Sequence, residues 1–316
     1  MKQLETKDQG SIFSLTWMLV LVAMISCALW GSATPAIKTG YKLLTVEGVA
    51  SIMLFAGMRF VLAGILTVII FSIARRRLLT PKPQNIPMIL FVSVFHTIIQ
   101  YVFFYLGLAY TSGVKGTVAS GSGAFFAVLI ASLIFRQEKL TLKKIVACVI
   151  GFVGILVMNL SGLAFTADPL DIMGVGFVLL STISSSCASV LVRKYSKVED
   201  PVVISGYQFI AGGIFMIIVG LSFGGTVDLS NGWGVSILVY LGFLSAIAYS
   251  LWGILLKYNP VSRVTVFNFM TPIFGVIFST IFLDEKGSVN PINLIITLIL
   301  ISVGIFMLNY KPKEKL

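Results

Sequence analysis

The sequence predicts an all-α membrane protein: ten transmembrane helices as two inverted five-helix repeats, with both termini cytoplasmic. Three observations predict it. Hydrophobic residues make up 57% of the 316 residues and charged ones only 11%, with mean hydropathy +1.00, whereas a soluble domain carries about 25% charge. Apolar runs long enough to cross a bilayer recur along the whole chain. The second half also echoes the first at an offset of 147 to 155 residues.

The echo can be followed residue by residue. Tyr110 is answered by Tyr258, Glu138-Lys139 by Glu285-Lys286, Gly154 by Gly304 and Asn159 by Asn309. Upstream, Ala36-Ile37-Lys38 matches Leu191-Val192-Arg193, and Arg59-Phe60 matches Gln208-Phe209. This divides the chain into a tail (1–14), a first repeat (15–163), a second, inverted repeat (164–310) and a final tail (311–316).

The runs are continuous rather than alternating, which favours helices over barrel strands. In order they are 15–37, holding Trp30 and Pro35; 50–73, holding Arg59; 87–108, holding His96, Gln100 and Tyr101; 114–135, rich in small residues; and the short 145–160, which Lys143 and Lys144 can serve by snorkelling. The second set is 170–192; 202–223, holding Tyr207 and Gln208; 235–256, holding Ser245, Tyr249 and Trp252; 264–283, holding Asn268 and Pro272; and 292–308. With the termini inside, 18 Lys and Arg fall on the cytoplasmic side and four outside: Lys38, Lys42, Lys115 and Lys286. Positive charge concentrates on the cytoplasmic side of membrane proteins, so this orientation is the expected one. Five helices per repeat is an odd number, so the second copy lies upside down relative to the first, as in many secondary transporters.

Composition excludes other classes. The net charge of +11 sits as punctuation between apolar runs, not on a polar folded surface, so no nucleic-acid partner is expected. Cys27, Cys148 and Cys187 lie within apolar runs, without disulfide or metal-ligand spacing. There is no phosphate loop, metal motif or nucleophile elbow, so no catalytic residue, metal or cofactor is assigned, and the chain reads as a non-enzyme. The rival from another class is a membrane enzyme or scaffold that transports nothing.

Leu29-Trp30-Gly31-Ser32, Met58-Arg59-Phe60, Tyr110-Thr111-Ser112, Glu138-Lys139-Leu140-Thr141 and the Gly151/Gly154 pair occur in that order, followed by Tyr258-Asn259-Pro260, Pro272 and Gly304. Together they resemble the EamA-type branch of the drug/metabolite transporter superfamily, over about residues 15–310. The resemblance implies a ten-helix bundle around a central cavity, with the fifth and tenth helices peripheral. It also implies a plasma-membrane carrier for small metabolites, with export of an amino acid or related compound, or of drugs, as the activity.

The candidate cavity residues are Trp30, Arg59, His96, Gln100, Tyr101, Tyr207, Gln208, Tyr249, Trp252 and Asn268. Arg59 is a charge inside a crossing, costing about 2.5–3.5 kcal/mol on insertion scales. It reads either as an anion site or as a structural arginine bonded to backbone carbonyls or an outer-loop acid; the resemblance favours the second. His96 and Gln100, four residues apart, share a helix face that must avoid lipid. His96 either meets substrate, where it would also be the group for any proton coupling, or bridges helices as a neutral imidazole. The reading places no Asp or Glu inside any crossing, which leaves uncoupled exchange open. Ser245, Tyr249 and Trp252 form one stripe, and with Trp30, Tyr101 and Tyr207 they suggest an aromatic-walled pocket for a small organic substrate. Pro35 and Pro272 are expected helix breaks that free the carbonyls of Gly31 and Asn268. The expected partners are a small-molecule substrate and membrane lipid. Gly151 and Gly154 suit either packing within the chain or a homodimer.

Overall fold

The computed structural model describes residues 12–111, 113–158, 168–282 and 291–309. Glu285, Lys286, Asn159, Tyr310 and the tails 1–11 and 310–316 lie outside them. Among the described residues every regular element is helical. They are α1 (Thr16–Leu43), α2 (Gly48–Ala74), α3 (Pro83–Gly107), α4 (Lys115–Ile134), α5 (Leu142–Met158), α6 (Pro169–Tyr195), α7 (Pro201–Ser222), α8 (Gly232–Tyr258), α9 (Val261–Phe282) and α10 (Ile292–Asn309). Nine are long and apolar enough to cross a membrane. The other, α5, has 17 described residues and ends where the described segment ends.

Local chemistry sets the helix starts. Asp168 and Asp200 each accept a hydrogen bond from the backbone N–H two residues on, and each is followed by a proline in the first turn. Asn231 caps α8 in the same way through Gly234. Several helices outrun their apolar stretches: α1 continues to Leu43 with Lys38 and Lys42 aboard, and α6 continues to Tyr195 through Arg193 and Lys194. The backbone ladder is indifferent to side-chain polarity, and long cationic side chains reach back to water. Asp171 corrects the expectation of acid-free crossings. It lies in the first turn of α6, paired with Lys115 and accepting from Thr111 Oγ1 at 2.6 Å.

The two halves pack by swapped equivalence. α2 packs on α7 and α5 on α10, each helix against its own repeat mate. α1 packs on α8 and α9, while α3 and α4 pack on α6, so each contact between halves has its counterpart. The α2–α7 seam runs antiparallel: Leu54 meets Gly220, Gly57 meets Gly213 and Ile217, and Gly64 meets Gly206 and Ile210. The α5–α10 seam is antiparallel too, with Ala147 against Gly304 and Gly154 against Ile301. Equivalent helices thus point in opposite directions, as inverted repeats require.

Winding changes interrupt three helices. α3 is π-helical over Val94–Ile99, and α4 turns at Ser122 and ends π-helical over Ile130–Ile134. In α9 a 3-10 turn spans Val266–Phe269, just ahead of Pro272, and the Phe267 carbonyl accepts from Cys27 Sγ at 3.2 Å. Pro35 is not a break: α1 runs unbroken through it, held between α8 and α9. A single missing donor is tolerated where neighbouring helices hold the axis.

Candidate functional site

A compact cluster of buried rings and polar groups lies where α2, α3, α7 and α8 converge on α1. Its hub is Tyr249 on α8. Trp30 (5.0 Å between centroids), Phe209 (4.8 Å) and His96 (5.1 Å) meet it edge to face. Its hydroxyl lies 2.6 Å from the hydroxyl of Tyr101. Trp252 packs edge-on against Trp30 at 5.0 Å. Tyr101 in turn leans on Phe60, which stacks on Phe209 at 5.2 Å and 12°.

Arg59, 4% exposed, donates through Nε (3.2 Å) and Nη2 (2.9 Å) to Ser245 Oγ. Its guanidinium also sits 5.2 Å from the Phe60 ring centre. Among the described residues its hydrogen-bond partner is a hydroxyl of the other repeat. Gln208, fully buried, accepts at Oε1 from Thr97 Oγ1 at 2.7 Å, and its backbone carbonyl accepts from Ser93 Oγ at 2.8 Å.

These contacts obey the internal echo. Tyr101 and Tyr249 are 148 residues apart, as are Thr97 and Ser245; Phe60 and Phe209, and Arg59 and Gln208, are 149 apart. The Arg59–Ser245 bond and the Gln208–Thr97 bond are therefore repeat mates. The Tyr101–Tyr249 pair and the Phe60–Phe209 stack each join a residue to its own mate. The cluster sits on the pseudo-two-fold axis that relates the halves.

Several of its polar atoms are unsatisfied. Nine buried side-chain atoms lack a hydrogen-bond partner among the described residues, and three belong to the cluster: Trp30 Nε1, His96 Nδ1 and Gln208 Nε2; Gln100 Oε1 is a fourth, beside Tyr101 on α3. Such atoms are costly in a protein interior, and lipid offers them nothing. Two donors or acceptors on rings and one on an amide, in a cluster that also holds a guanidinium, can hold a small polar molecule between aromatic walls.

The structure does not bring every candidate together. Tyr207 points elsewhere: its hydroxyl donates to the Leu79 carbonyl in the loop between α2 and α3, at 3.2 Å. On α7 the ring that reaches the cluster is Phe209, while Tyr207 is turned toward the loop. Asn268 is half-buried in the 3-10 turn of α9, outside the ring cluster. The sequence reading missed Phe60 and Phe209 as ring walls, and Thr97 as the partner of Gln208. The offset contained the signal, since Thr97 is the mate of Ser245 in the α8 stripe. At the expected central cavity Arg59, His96, Gln208, Tyr249 and Trp252 are all buried, with Trp30, His96, Phe209 and Trp252 packed ring against ring around Tyr249.

Antiparallel-related helical halves meeting at a polar, aromatic cluster on their shared axis are the architecture of a membrane transporter. The chain belongs to the EamA-like transporter family, whose profile matches residues 17–160 and again 172–310. It is a multi-pass membrane protein. It is 27% identical to an uncharacterised transporter of Archaeoglobus fulgidus, over 84% of this chain and 90% of that one. It is 28% identical to an uncharacterised transporter of Synechocystis, over 99% and 95%. A WAT1-related chloroplast protein of Arabidopsis thaliana is 26% identical over 89% of this chain and 67% of its own length. A crystal structure with 18% identity superposes with a TM-score of 0.76, over 92% of this chain and 97% of that one, which extends the likeness of fold.

Proposed function

We propose that the chain is a secondary transporter of the plasma membrane, with ten crossings and cytoplasmic termini. In this reading it exports a small organic metabolite, an amino acid or related compound, by rocking two inverted halves about a midplane site. The observation that carries it is the cluster on the pseudo-axis, with Arg59, His96, Gln208 and Trp30 presenting polar atoms beside Tyr101, Tyr249 and Trp252; Gln100 is proposed to join them. A site on that axis is the one place both halves reach equally, so rocking exposes it to either side in turn.

Arg59 supplies a cation for a substrate carboxylate, and the unpaired atoms of the cluster supply hydrogen bonds to the rest of the molecule. Uncoupled exchange is the second reading. It is favoured by the only acid within a described crossing, Asp171, being at a helix end and paired with Lys115. A proton-coupled version would use His96.

Counterflow in proteoliposomes tests the proposal. Vesicles are loaded with unlabelled amino acids, and one labelled tracer is added outside at a time, with and without a pH gradient. Transient tracer accumulation above equilibrium identifies a carrier and its substrate. A gradient-driven component that vanishes in His96→Ala assigns the coupling to His96. Flat traces for every amino acid with well-folded protein would overturn the amino-acid reading and favour other metabolites, drugs or the non-transporting rival.

A further inference from the structure

A second site lies apart from the axis. α1, α9 and α10 leave a half-open groove of about 540 Å³ between them. Its walls are apolar: Val20, Met24, Phe267, Met270, Ile305 and Phe306 line it, with Thr16 and Asn309 at one end and Ser302 further in. Thr16 to Met24 spans eight residues of α1, roughly 12 Å at 1.5 Å per residue. That is most of one leaflet of a hydrocarbon core about 30 Å thick. Phe306 is 63% exposed, so the groove opens sideways toward lipid rather than into the bundle.

A cation guards its mouth. Arg263 donates to Asn309 Oδ1 (3.1 Å), to the Asn309 carbonyl (3.5 Å) and to Thr16 Oγ1 (3.2 Å). These partners are neutral, and two of the three residues involved line the groove. Among the described residues Arg263 forms no salt bridge. A half-buried guanidinium whose partners among the described residues are all neutral, at the edge of a hydrocarbon layer, is stabilised when an anion meets it. The positive-charge count puts this end of the bundle on the cytoplasmic side, where anionic lipid headgroups attract cationic side chains.

We propose that this groove binds an anionic phospholipid of the cytoplasmic leaflet, with one acyl chain between α1, α9 and α10 and its phosphate at Arg263. The occupant follows from the two observations together: an apolar slot of single-leaflet depth, and a cation at its headgroup end whose partners among the described residues are all neutral. The site is independent of the axial cluster and of what the protein carries. α9 and α10 form its walls, so lipid there contacts the 3-10 turn of α9 directly through Phe267.

Native mass spectrometry of the full chain, purified with equal phosphatidylglycerol and phosphatidylcholine, tests the proposal. The expected result is one retained lipid with a preference for phosphatidylglycerol of about five-fold, the factor equivalent to ~1 kcal/mol for one cation at an anionic lipid surface. Arg263→Gln should abolish the preference, and Arg263→Lys should restore it. Ser302→Trp, which fills the slot, should remove retained lipid of both kinds, while Val239→Trp on the exposed face of α8 should not. An undiminished preference in Arg263→Gln would overturn the proposal, as would full lipid retention in Ser302→Trp. Displacement of the lipid by millimolar inorganic phosphate would make this a free-phosphate site instead. A photoreactive residue at Ile305 that cross-links to the chain's own terminus, rather than to lipid, would also sink it.

Discussion

Gly64→Ala is expected to loosen the seam on which the two halves meet. A Cβ built at Gly64 lies 2.5 Å from the Gly206 carbonyl oxygen, 2.6 Å from Ile210 Cγ1 and 2.9 Å from the Ile210 backbone nitrogen. Two of those atoms are backbone, so no rotamer change relieves the clash and the helices must part. The same seam carries Gly57, Gly213 and Gly220 in equally close contact, so a shift at Gly64 propagates along α2 and α7. Overpacking of this kind costs about 1–3 kcal/mol. At roughly 2–4 °C per kcal/mol for a large domain, the melting temperature in detergent should fall by several degrees. Gly176→Ala is the control, because nothing lies within 4 Å of a Cβ there and α6 continues on both sides. Removing a mid-helix glycine stabilises by about 0.5–1 kcal/mol, so that variant should melt at or above the wild-type temperature. Scanning fluorimetry on both proteins decides the matter. Equal melting temperatures for Gly64→Ala and wild type, or equal losses in the two variants, would refute a seam set by backbone contact.

Three further outcomes follow from the axial cluster and the cytoplasmic loops. A double-mutant cycle with Arg59→Leu and Ser245→Ala should yield a coupling of about 1.5–3 kcal/mol, the worth of hydrogen bonds to a charged group; additive losses would mean the pair does not interact. Tyr249→Phe deletes the 2.6 Å bond to Tyr101 and should cost about 0.5–1.5 kcal/mol in thermal unfolding, while Tyr207→Phe should leave substrate counterflow unchanged. Burial pushes the Glu138 carboxyl up, but Lys144 at 2.6 Å and the Ser262 hydroxyl and N–H outweigh it, holding the group below its ordinary 4.5. A depressed folded-state value stabilises fully above the unfolded one and fades as pH falls through the folded one. Melting temperature should therefore drop more steeply below pH 4.5 in wild type than in Glu138→Gln, and parallel curves would remove Glu138 from the account.

The helices were legible because membrane crossings leave long apolar runs, and the duplication because the offset stays nearly constant. Side-chain destinations were less so. Tyr207 and Gln208 are neighbours in sequence with opposite surroundings, and aromatic identity alone does not say which face of α7 meets the axis. The π-helical stretch around His96 was invisible, since Val94-Phe95-His96-Thr97-Ile98-Ile99 reads as any apolar helix; its winding is settled by packing against α6 and α7. The partner of Arg59 was missed because it lies 186 residues away. It was still recoverable, since Thr97 and Ser245 stand at the repeat offset and Arg59 and Gln208 do too. Repeat arithmetic identifies pairs that local pattern cannot.

That arithmetic also exposes an asymmetry. The frame is pseudo-symmetric, but the chemistry at equivalent positions is not. Arg59 is matched by Gln208, His96 by Leu244, and Trp30 by Ser185. The charge and two of the three unpaired atoms in the cluster belong to the first repeat, while the second contributes Gln208, Tyr249 and ring walls. Inverted repeats can exchange conformations, but they cannot exchange side chains. Under the proposed mechanism the polar end of a substrate therefore stays with α2 and α3 in both states. What alternates is which end of the bundle closes over it. A symmetric frame accounts for access from two sides, and an asymmetric lining for one fixed orientation of the cargo during the crossing.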